Sequence, residues 1–432
     1  MNLPVLVLVV SFVVLLLLNV PIAFCMGIAT VLGFLAMGDM PAFVAVAHKI
    51  ATGIDSFALL AIPFFILSGQ LMGQGGIARR LIDFANVLVG RFRGGLAFVN
   101  VVTCMFFGAI SGSATAAVSS VGGFMVPLMN KMGYDRDFNA SVTITAATTG
   151  LLIPPSNVMI VYSLATGGFV SIAAIFMAGF LPGVLVGLGL ILVSGIISVR
   201  QNYGKGETFP CWEGVIRLLR AIPALLLVFI VIGGILLGWF TPTEASAVAV
   251  LYSFFLAVVV YREVKIRDLP QILLQCGVTT SVVFLLIGTS MAMSWVLASE
   301  NVPQNISAGL VGLTNNKVVL LLLINAILLV VGTFMDMTPA VLIFTPIFLP
   351  VVKDLGMDPI HFGIVMIMNL CIGVCTPPVG TCLFLGCGIA ETTVSKIIRH
   401  LLPFFAAMVV VLMVTTYVPW LSLALPDLFG LK

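Results

Sequence analysis

Residues 111–163, SGSATAAVSSVGGFMVPLMNKMGYDRDFNASVTITAATTGLLIPPSNVMIVYS, return 223 positions later as 334–386, FMDMTPAVLIFTPIFLPVVKDLGMDPIHFGIVMIMNLCIGVCTPPVGTCLFLG, and the two align without a gap. Thr115 falls on Thr338, Ala117 on Ala340, Pro127 on Pro350, Gly133 on Gly356 and Asp135 on Asp358. Gly150 then falls on Gly373, and the pair Pro154-Pro155 on Pro377-Pro378. Proline pairs, glycines and one acid at a constant spacing mark an internal duplication. Two halves of about 210 residues follow, the construction of many secondary transporters.

Working outward, the chain of 432 residues is 61% hydrophobic and 8% charged, with a mean hydropathy of +1.25. A soluble domain carries roughly 25% charged residues, so 19 Lys+Arg and 16 Asp+Glu cannot cover a water-facing surface. Apolar stretches of about 15–30 residues, separated by short polar breaks, match helices in a hydrocarbon core of about 30 Å. A transmembrane barrel would alternate in segments of about ten residues, and VLVLVVSFVVLLLL (5–18) does not. The fold class is an all-α polytopic membrane protein without a soluble domain. The net charge of +3 is dispersed, and without a basic stripe no nucleic-acid partner is expected. Cysteines 25, 104, 211, 276, 371, 375, 382 and 387 lie nearly all in apolar segments and read as buried free thiols rather than disulfides or a zinc site. The N-terminus is apolar from Leu3 with no Lys or Arg before Lys49, so no cleavable signal is expected.

Lys and Arg in short loops report the cytoplasmic side. Segment 76–93 carries Arg79, Arg80, Arg91 and Arg93, whereas its counterpart near 299–316 has none before Lys317. Loops 200–220 (Arg200, Lys205, Arg217, Arg220) and 262–268 (Arg262, Lys265, Arg267) flank two apolar segments, 221–240 and 243–261. Both loops are therefore cytoplasmic. The first half starts outside with spans 3–18, 22–37 and 56–74; the second starts inside with 221–240, 243–261 and 270–298. This is an inverted-topology repeat. The first repeat takes 1–169, with spans within 3–74, a hairpin at 94–130 and a broken helix at 138–166. Residues 170–220 form a linking span (170–199) and a cytoplasmic connector. The second repeat takes 221–392, with spans within 221–298, a hairpin at 317–352 and a broken helix at 360–390, and a C-terminal span fills 393–432. Segments 41–54, 77–90 and 204–220 are expected as interfacial helices, with Trp212 as an anchor among the membrane lipids.

Each half holds two places where a membrane helix fails. GAISGSATAA (108–117) lies between apolar arms with Arg93 before and Lys131 and Arg136 after, so it is the tip of a re-entrant hairpin. Its counterpart is Phe334-Met335-Asp336-Met337-Thr338-Pro339, entered from the opposite face. The other breaks are LLIPPSN (151–157) and VCTPPVG (374–380), where prolines lack N–H groups and free carbonyls. Irregular backbone at membrane depth survives only against protein or a water-filled cavity, so four breaks point at one central site. Freed carbonyls and hydroxyls suit a small hard cation, while helix N-termini suit an anion. The first candidate cation site draws on Ser111, Ser113, Asn157 and carbonyls near Gly150 and Pro154. The second draws on Asp336, Thr338, Thr381 and carbonyls near Gly373, Thr376 and Pro377. Ser113, Thr115, Ser156, Thr338 and Gly380 are the candidates for an anionic substrate, since no Lys or Arg lies at the breaks. Asp336 is the deep carboxylate; Glu244, in Thr241-Pro242-Thr243-Glu244, reads as a capping box.

GTFMDMTPAVLIFTPIFLPVVKDLGMDPIHFG (332–363), NLCIGVCTPPVG (369–380), GWFTPTEASAVAV (238–250), LAIPFFILSGQLM (60–72) and LLIPPSN together resemble the DctM-like large membrane subunit of TRAP (tripartite ATP-independent periplasmic) transporters. The likeness runs through both halves. It implies sodium-gradient-driven uptake of an organic acid (C4-dicarboxylate, sugar acid, sialic acid or a similar carboxylate) across a bacterial inner membrane, with both termini periplasmic. It implies sodium as coupling ion with no other cofactor, and two partners: a small membrane subunit and a periplasmic substrate-binding protein. It also implies an elevator movement, hairpins and broken helices travelling against a scaffold of the remaining spans. In SGSATAA the chain has Ala116 and Ala117 where the family commonly carries an acid, leaving Asp336 as the deep carboxylate.

The rival readings are weaker. No HExxH surrounds His48, His361 or His400, and all three fall near segment ends, so an intramembrane enzyme is not expected. No GxxxxGK[ST] for a primary pump is present. A stand-alone cation–dicarboxylate symporter of similar repeat remains the nearer alternative, separated by whether uptake needs a binding protein.

Overall fold

The structure, a computed structural model, describes residues 3–18, 20–38, 41–204, 211–313, 316–377 and 379–431. Among them the regular elements are all helical, as hydrocarbon demands: only a helix or a closed barrel pairs its own N–H and C=O groups. Eight helical stretches are long and apolar enough to cross a membrane. In the first half run α1 (Leu3–Leu17), α2 (Ile22–Met37), α3 (Ala42–Ile54), α4 (Ala61–Gln74) and α5 (Ile77–Val89). They are followed by α6 (Gly95–Ser111), α7 (Ala114–Lys131), α8 (Arg136–Thr149), α9 (Asn157–Ala165) and α10 (Ile172–Arg200). The second half holds α11 (Cys211–Leu236), α12 (Pro242–Phe254), α13 (Leu269–Ser299), α14 (Val302–Leu313) and α15 (Lys317–Phe334). It ends with α16 (Met337–Asp354), α17 (Pro359–Gly373), α18 (Thr381–Ile389), α19 (Val394–Tyr417) and α20 (Trp420–Leu428).

The duplicated sequence folds into duplicated elements. Helices α7 and α16 start and end 223 residues apart, and α6/α15, α8/α17 and α9/α18 keep that spacing to within a residue. The shared residues have shared duties. Asp135 caps α8 by accepting from the N–H groups of Asp137 and Phe138 at 3.0 and 2.9 Å, and Asp358 caps α17 by accepting from Ile360 N–H at 2.7 Å. Such caps satisfy N–H groups that the helix leaves unpaired. Gly150 and Gly373 let backbones cross: a Cβ on Gly150 would lie 2.3 Å from the Gly108 Cα, and one on Gly373 2.4 Å from the Gly332 Cα.

Polar contacts fix which loops share a face. Arg80 reaches Glu263 at 3.7 Å and stacks over Tyr261, Arg217 reaches Asp83 at 3.7 Å, and Asp135 N–H donates to the Tyr203 hydroxyl at 3.1 Å. With Gly94 N–H donating to the Gly204 carbonyl at 3.3 Å, these bonds gather segments 76–93, 131–136, 200–204, 211–220 and 262–268 at the C-terminal end of α10. The loop equivalent to 131–136 lies elsewhere: Lys353 stands over Phe169, 4.7 Å from its ring, before the N-terminus of α10. A helix of 29 residues is about 43 Å long, so these equivalent loops sit at opposite ends of that rod.

Two sequence expectations need correction. Residues 211–220 are not a separate interfacial helix but the first turns of α11; the i,i+4 pair Glu213–Arg217 at 2.7 Å supports a polar extension of the span. Residues 205–210 of that segment, and Pro378 of the second proline pair, lie outside the described residues. The last span is also not continuous, because it breaks at Val418-Pro419 into α19 and α20, where a proline cannot donate to the preceding turn. Other expectations hold. The Thr241–Glu244 capping box forms, with Thr241 N–H donating to Glu244 at 2.8 Å and Glu244 N–H to the Thr241 hydroxyl at 3.3 Å. All seven cysteines whose side chains are described are free and buried. The thiols of Cys371 and Cys375 donate to the carbonyls of Thr148 and Ile144, so the cysteine cluster serves packing of α17 against α8.

Candidate functional site

The two hairpin tips and the starts of α9 and α18 meet in one cavity of about 560 Å³, closed on its other side by α4 and α13. From the first half Ser111, Ser113, Thr115 and Asn157 line it; from the second, Asp336, Thr338 and Thr381. The remaining candidates stand behind the wall. Ser156 and Gly380 are buried just before α9 and α18, and Gly150, Pro154, Gly373, Thr376 and Pro377 support the breaks without lining the cavity. Asp336 is the single carboxylate of the lining, which holds no Lys or Arg.

The sequence folds this way because each break supplies a helix start. Gly112 takes φ +62°, open to glycine, and a Cβ there would lie 3.1 Å from Asn157 Nδ2. The first tip therefore rests on the start of α9. Ser113 caps α7, accepting from Ala116 N–H at 3.3 Å, and its hydroxyl pairs with Thr115 at 3.0 Å. Ser111 donates to the Ser113 carbonyl at 3.3 Å. Asp336 occupies the same N-cap position on α16 without a side-chain cap bond and lines the cavity. First-turn residues of α7, α9, α16 and α18 all line the space. Four helix N-termini thus direct N–H groups and positive dipole ends into it.

At the first break two buried side-chain oxygens have no partner among the described residues, Ser156 Oγ behind the wall and Asn157 Oδ1 in the lining. Such groups cost about 1–3 kcal/mol each unless something binds them, and a cation that takes oxygen ligands would. The second break differs. The Thr376 hydroxyl donates to the Ile372 carbonyl at 2.7 Å, Gly380 N–H donates to the Thr376 carbonyl at 3.2 Å, and Thr376 N–H to the Gly373 carbonyl at 2.8 Å. The Ile372 carbonyl also accepts from Cys375 N–H at 3.1 Å and is used twice, whereas the Gly373 and Thr376 carbonyls each take one of these bonds and keep a lone pair.

Sequence reading missed the opposite wall. Gln70 and Gln74 on α4, and Gln275 and Thr279 on α13, line the cavity. Polar residues four apart within apolar spans were the available signal. It also missed that Ser422 lies 2.5 Å from His361 Nδ1, with His361 Nε2 3.2 Å from the Thr416 carbonyl. His361 is only 1% exposed and lies outside the cavity lining, so this pair ties α17 to α19 and α20. Among the described residues one group of metal-type ligands occurs, Asp135, Asp137 and His400. Asp135 already caps α8, and Asp137 accepts from Thr392.

A helical bundle with interrupted helices closing on a polar central cavity is the architecture of a membrane permease. The family model of the DctM component of the tripartite ATP-independent periplasmic transporters matches residues 9–421. The chain is similar to the uncharacterized protein YgiK of Salmonella typhimurium, at 50% identity over 99% of this chain and 98% of that one. It is similar to the C4-dicarboxylate TRAP transporter large permease protein DctM of Pseudomonas aeruginosa, at 42% identity over 90% of each. It resembles the isethionate TRAP transporter permease protein DctMQ of Oleidesulfovibrio alaskensis, at 40% identity over 97% of this chain and 65% of that one. In fold it resembles the solved YdaH transporter of Alcanivorax borkumensis, with a TM-score of 0.66 over 89% of each chain and 15% identity. The chain belongs to the DctM family of TRAP transporter large permeases. It is a multi-pass inner-membrane transporter and not an enzyme.

Proposed function

We propose that this permease carries an organic acid into the cell on a sodium gradient, by an elevator movement of the hairpins and broken helices against a scaffold of the outer spans. The observation that carries the reading is the cavity itself. It joins unpartnered buried oxygens, one carboxylate and four helix N-termini, and lacks any Lys or Arg. Sodium would take Ser111, Ser113, Asn157 and the region of Gly150 and Pro154 on one side. On the other it would take Asp336, Thr338, Thr381 and the region of Gly373, Thr376 and Pro377. The substrate carboxylate then meets N–H groups and bound cations rather than a guanidinium. Relatives named for C4-dicarboxylates and isethionate support an acid. A small membrane subunit and a periplasmic binding protein complete the system, the former supported by the fused DctMQ relative.

Equivalent loops at opposite ends of α10 support an inverted repeat, and the gathering of Arg-rich loops at one end supports that end as cytoplasmic. Both termini are then periplasmic. The cavity is walled along α4 from Ile62 to Gln74 and by the N-terminal half of α13, and the ends at Gln74 and Leu269 lead to those basic loops, which supports an inward-facing state.

The test follows thermal unfolding of the purified chain as sodium replaces choline at constant ionic strength. A ligand of the folded state stabilises it by RT ln(1 + [L]/Kd). A saturable, sodium-specific rise is expected; no rise in the presence or absence of acid would remove sodium from the mechanism.

A further inference from the structure

The two walls of the cavity differ in chemistry. The tip wall offers helix N-termini and candidate cation ligands, which suit a carboxylate. The facing wall is a stripe of amphiprotic side chains: Gln70 and Gln74 four residues apart on α4, Gln275 and Thr279 four residues apart on α13. Helical spacing puts each pair on one face. A carboxamide carries donors and an acceptor whichever way it is turned, and a hydroxyl likewise carries both. Gln70 Oε1 is buried with no partner among the described residues. An acceptor left open needs a donor, and an ionised carboxylate has none to give. A second carboxylate on this wall could accept from the amide N–H groups but would leave the open carbonyl oxygens without a donor. Alcohol groups satisfy both ends of each amide. The volume of about 560 Å³ falls in the range of sites for small organic ligands.

We infer that this permease takes a polyhydroxylated monocarboxylic acid, an aldonic or uronic acid, with its carboxylate at the hairpin tips and its hydroxylated carbons against Gln70, Gln74, Gln275 and Thr279. The inference rests on the proposed sodium-coupled acid site and makes the α4–α13 wall its specificity element. Discrimination by such a wall is steep, because a ligand that cannot pair buried polar groups leaves them unsatisfied.

The test is calorimetric titration of the full chain in nanodiscs, at saturating sodium, with D-gluconate, D-glucuronate and succinate. At least one of the two hydroxylated acids is expected to bind about tenfold or more tightly than succinate. In Gln275→Leu and Thr279→Val that preference should fall to within about threefold, with unfolding temperature in choline and the sodium-induced rise unchanged. Gln74→Asn, which keeps the amide, serves as a variant less disturbing to the fold and should shift the preference in the same direction by a smaller factor. Succinate binding as tightly as both hydroxylated acids, or a preference that survives all three variants, overturns the inference. If no acid binds while the sodium rise persists, the substrate class fails and the cation reading stands. If the sodium rise is also missing, the underlying reading fails with it.

Discussion

The two halves of the molecule keep the same framework and differ in what they bring to the cavity. Both cross two helices on paired glycines, both cap the helix after the hairpin with an aspartate, and both interrupt the next span at prolines. Yet the first tip is Ser111-Gly112-Ser113 and the second Met335-Asp336-Met337. Both breaks rebond carbonyls within the turn, but at the first the Ser156 and Asn157 side-chain oxygens have no partner among the described residues. Further out the halves diverge in shape as well. Residues 42–74 are divided into α3 and α4, whereas the equivalent 269–299 is one continuous helix, and α10 is continuous where α19 and α20 are split. Duplication has preserved the residues that hold backbone in place and varied those that line the cavity. The negative charge sits on one side of the pseudo-symmetry only.

Breaking the framework should hurt both halves alike and most severely. Gly150→Val and Gly373→Val each force a side chain into a facing glycine backbone at under 2.5 Å. Overpacking costs about 1–3 kcal/mol even where neighbours can yield, and here both neighbours are main chain. Little folded protein is expected on size-exclusion chromatography for either; survival of one alone would show that the crossings are not equivalent.

The ligand side of the comparison sharpens with Asp336→Asn against Ser113→Ala. Losing the charge should raise the sodium concentration for half-maximal stabilisation by about tenfold or more, since bonds to charged groups are worth about 1.5–3 kcal/mol. Losing the hydroxyl should raise it by about three- to tenfold. Equal shifts would mean that the carboxylate is not a ligand. Asn157→Ala carries a prediction of sign. Because its buried oxygen is unpartnered, the variant should be no less stable than the parent in choline while losing much of the sodium rise, measured in the same unfolding series. The smallest effect is expected far from the cavity: Thr241→Ala removes the cap of α12 at a cost of about 0.5–2 kcal/mol. It should lower the unfolding temperature with the sodium response intact.

Much of this was legible in the sequence. A run of 53 residues that repeats with its prolines, glycines and aspartate in place leaves the backbone few options, because those residue types act through local geometry that does not depend on distant partners. Hence the hairpin arms, both breaks and the positions of Asp336 and Asn157 could be named from spacing alone. Polar extension of α11 through Glu213 and Arg217, and the split at Val418-Pro419, were misread because mixed polarity and a lone proline each permit two local structures. The folded chain chose between them through contacts such as Arg217 with Asp83 and Ser422 with His361.

What the sequence by itself determined is the membrane class, the duplication and the four interruptions that meet at the cavity. What only the tertiary structure decided is which residues share the cavity: that Gln70 and Gln275, 205 positions apart, stand across from the tips, and that Ser156 and Gly380 stand behind them. The reason is physical. Local sequence sets where a helix starts and stops, but which face of α4 and α13 meets the hairpins is set by packing over the whole bundle, where apolar faces compete on nearly equal terms and no short pattern records the outcome.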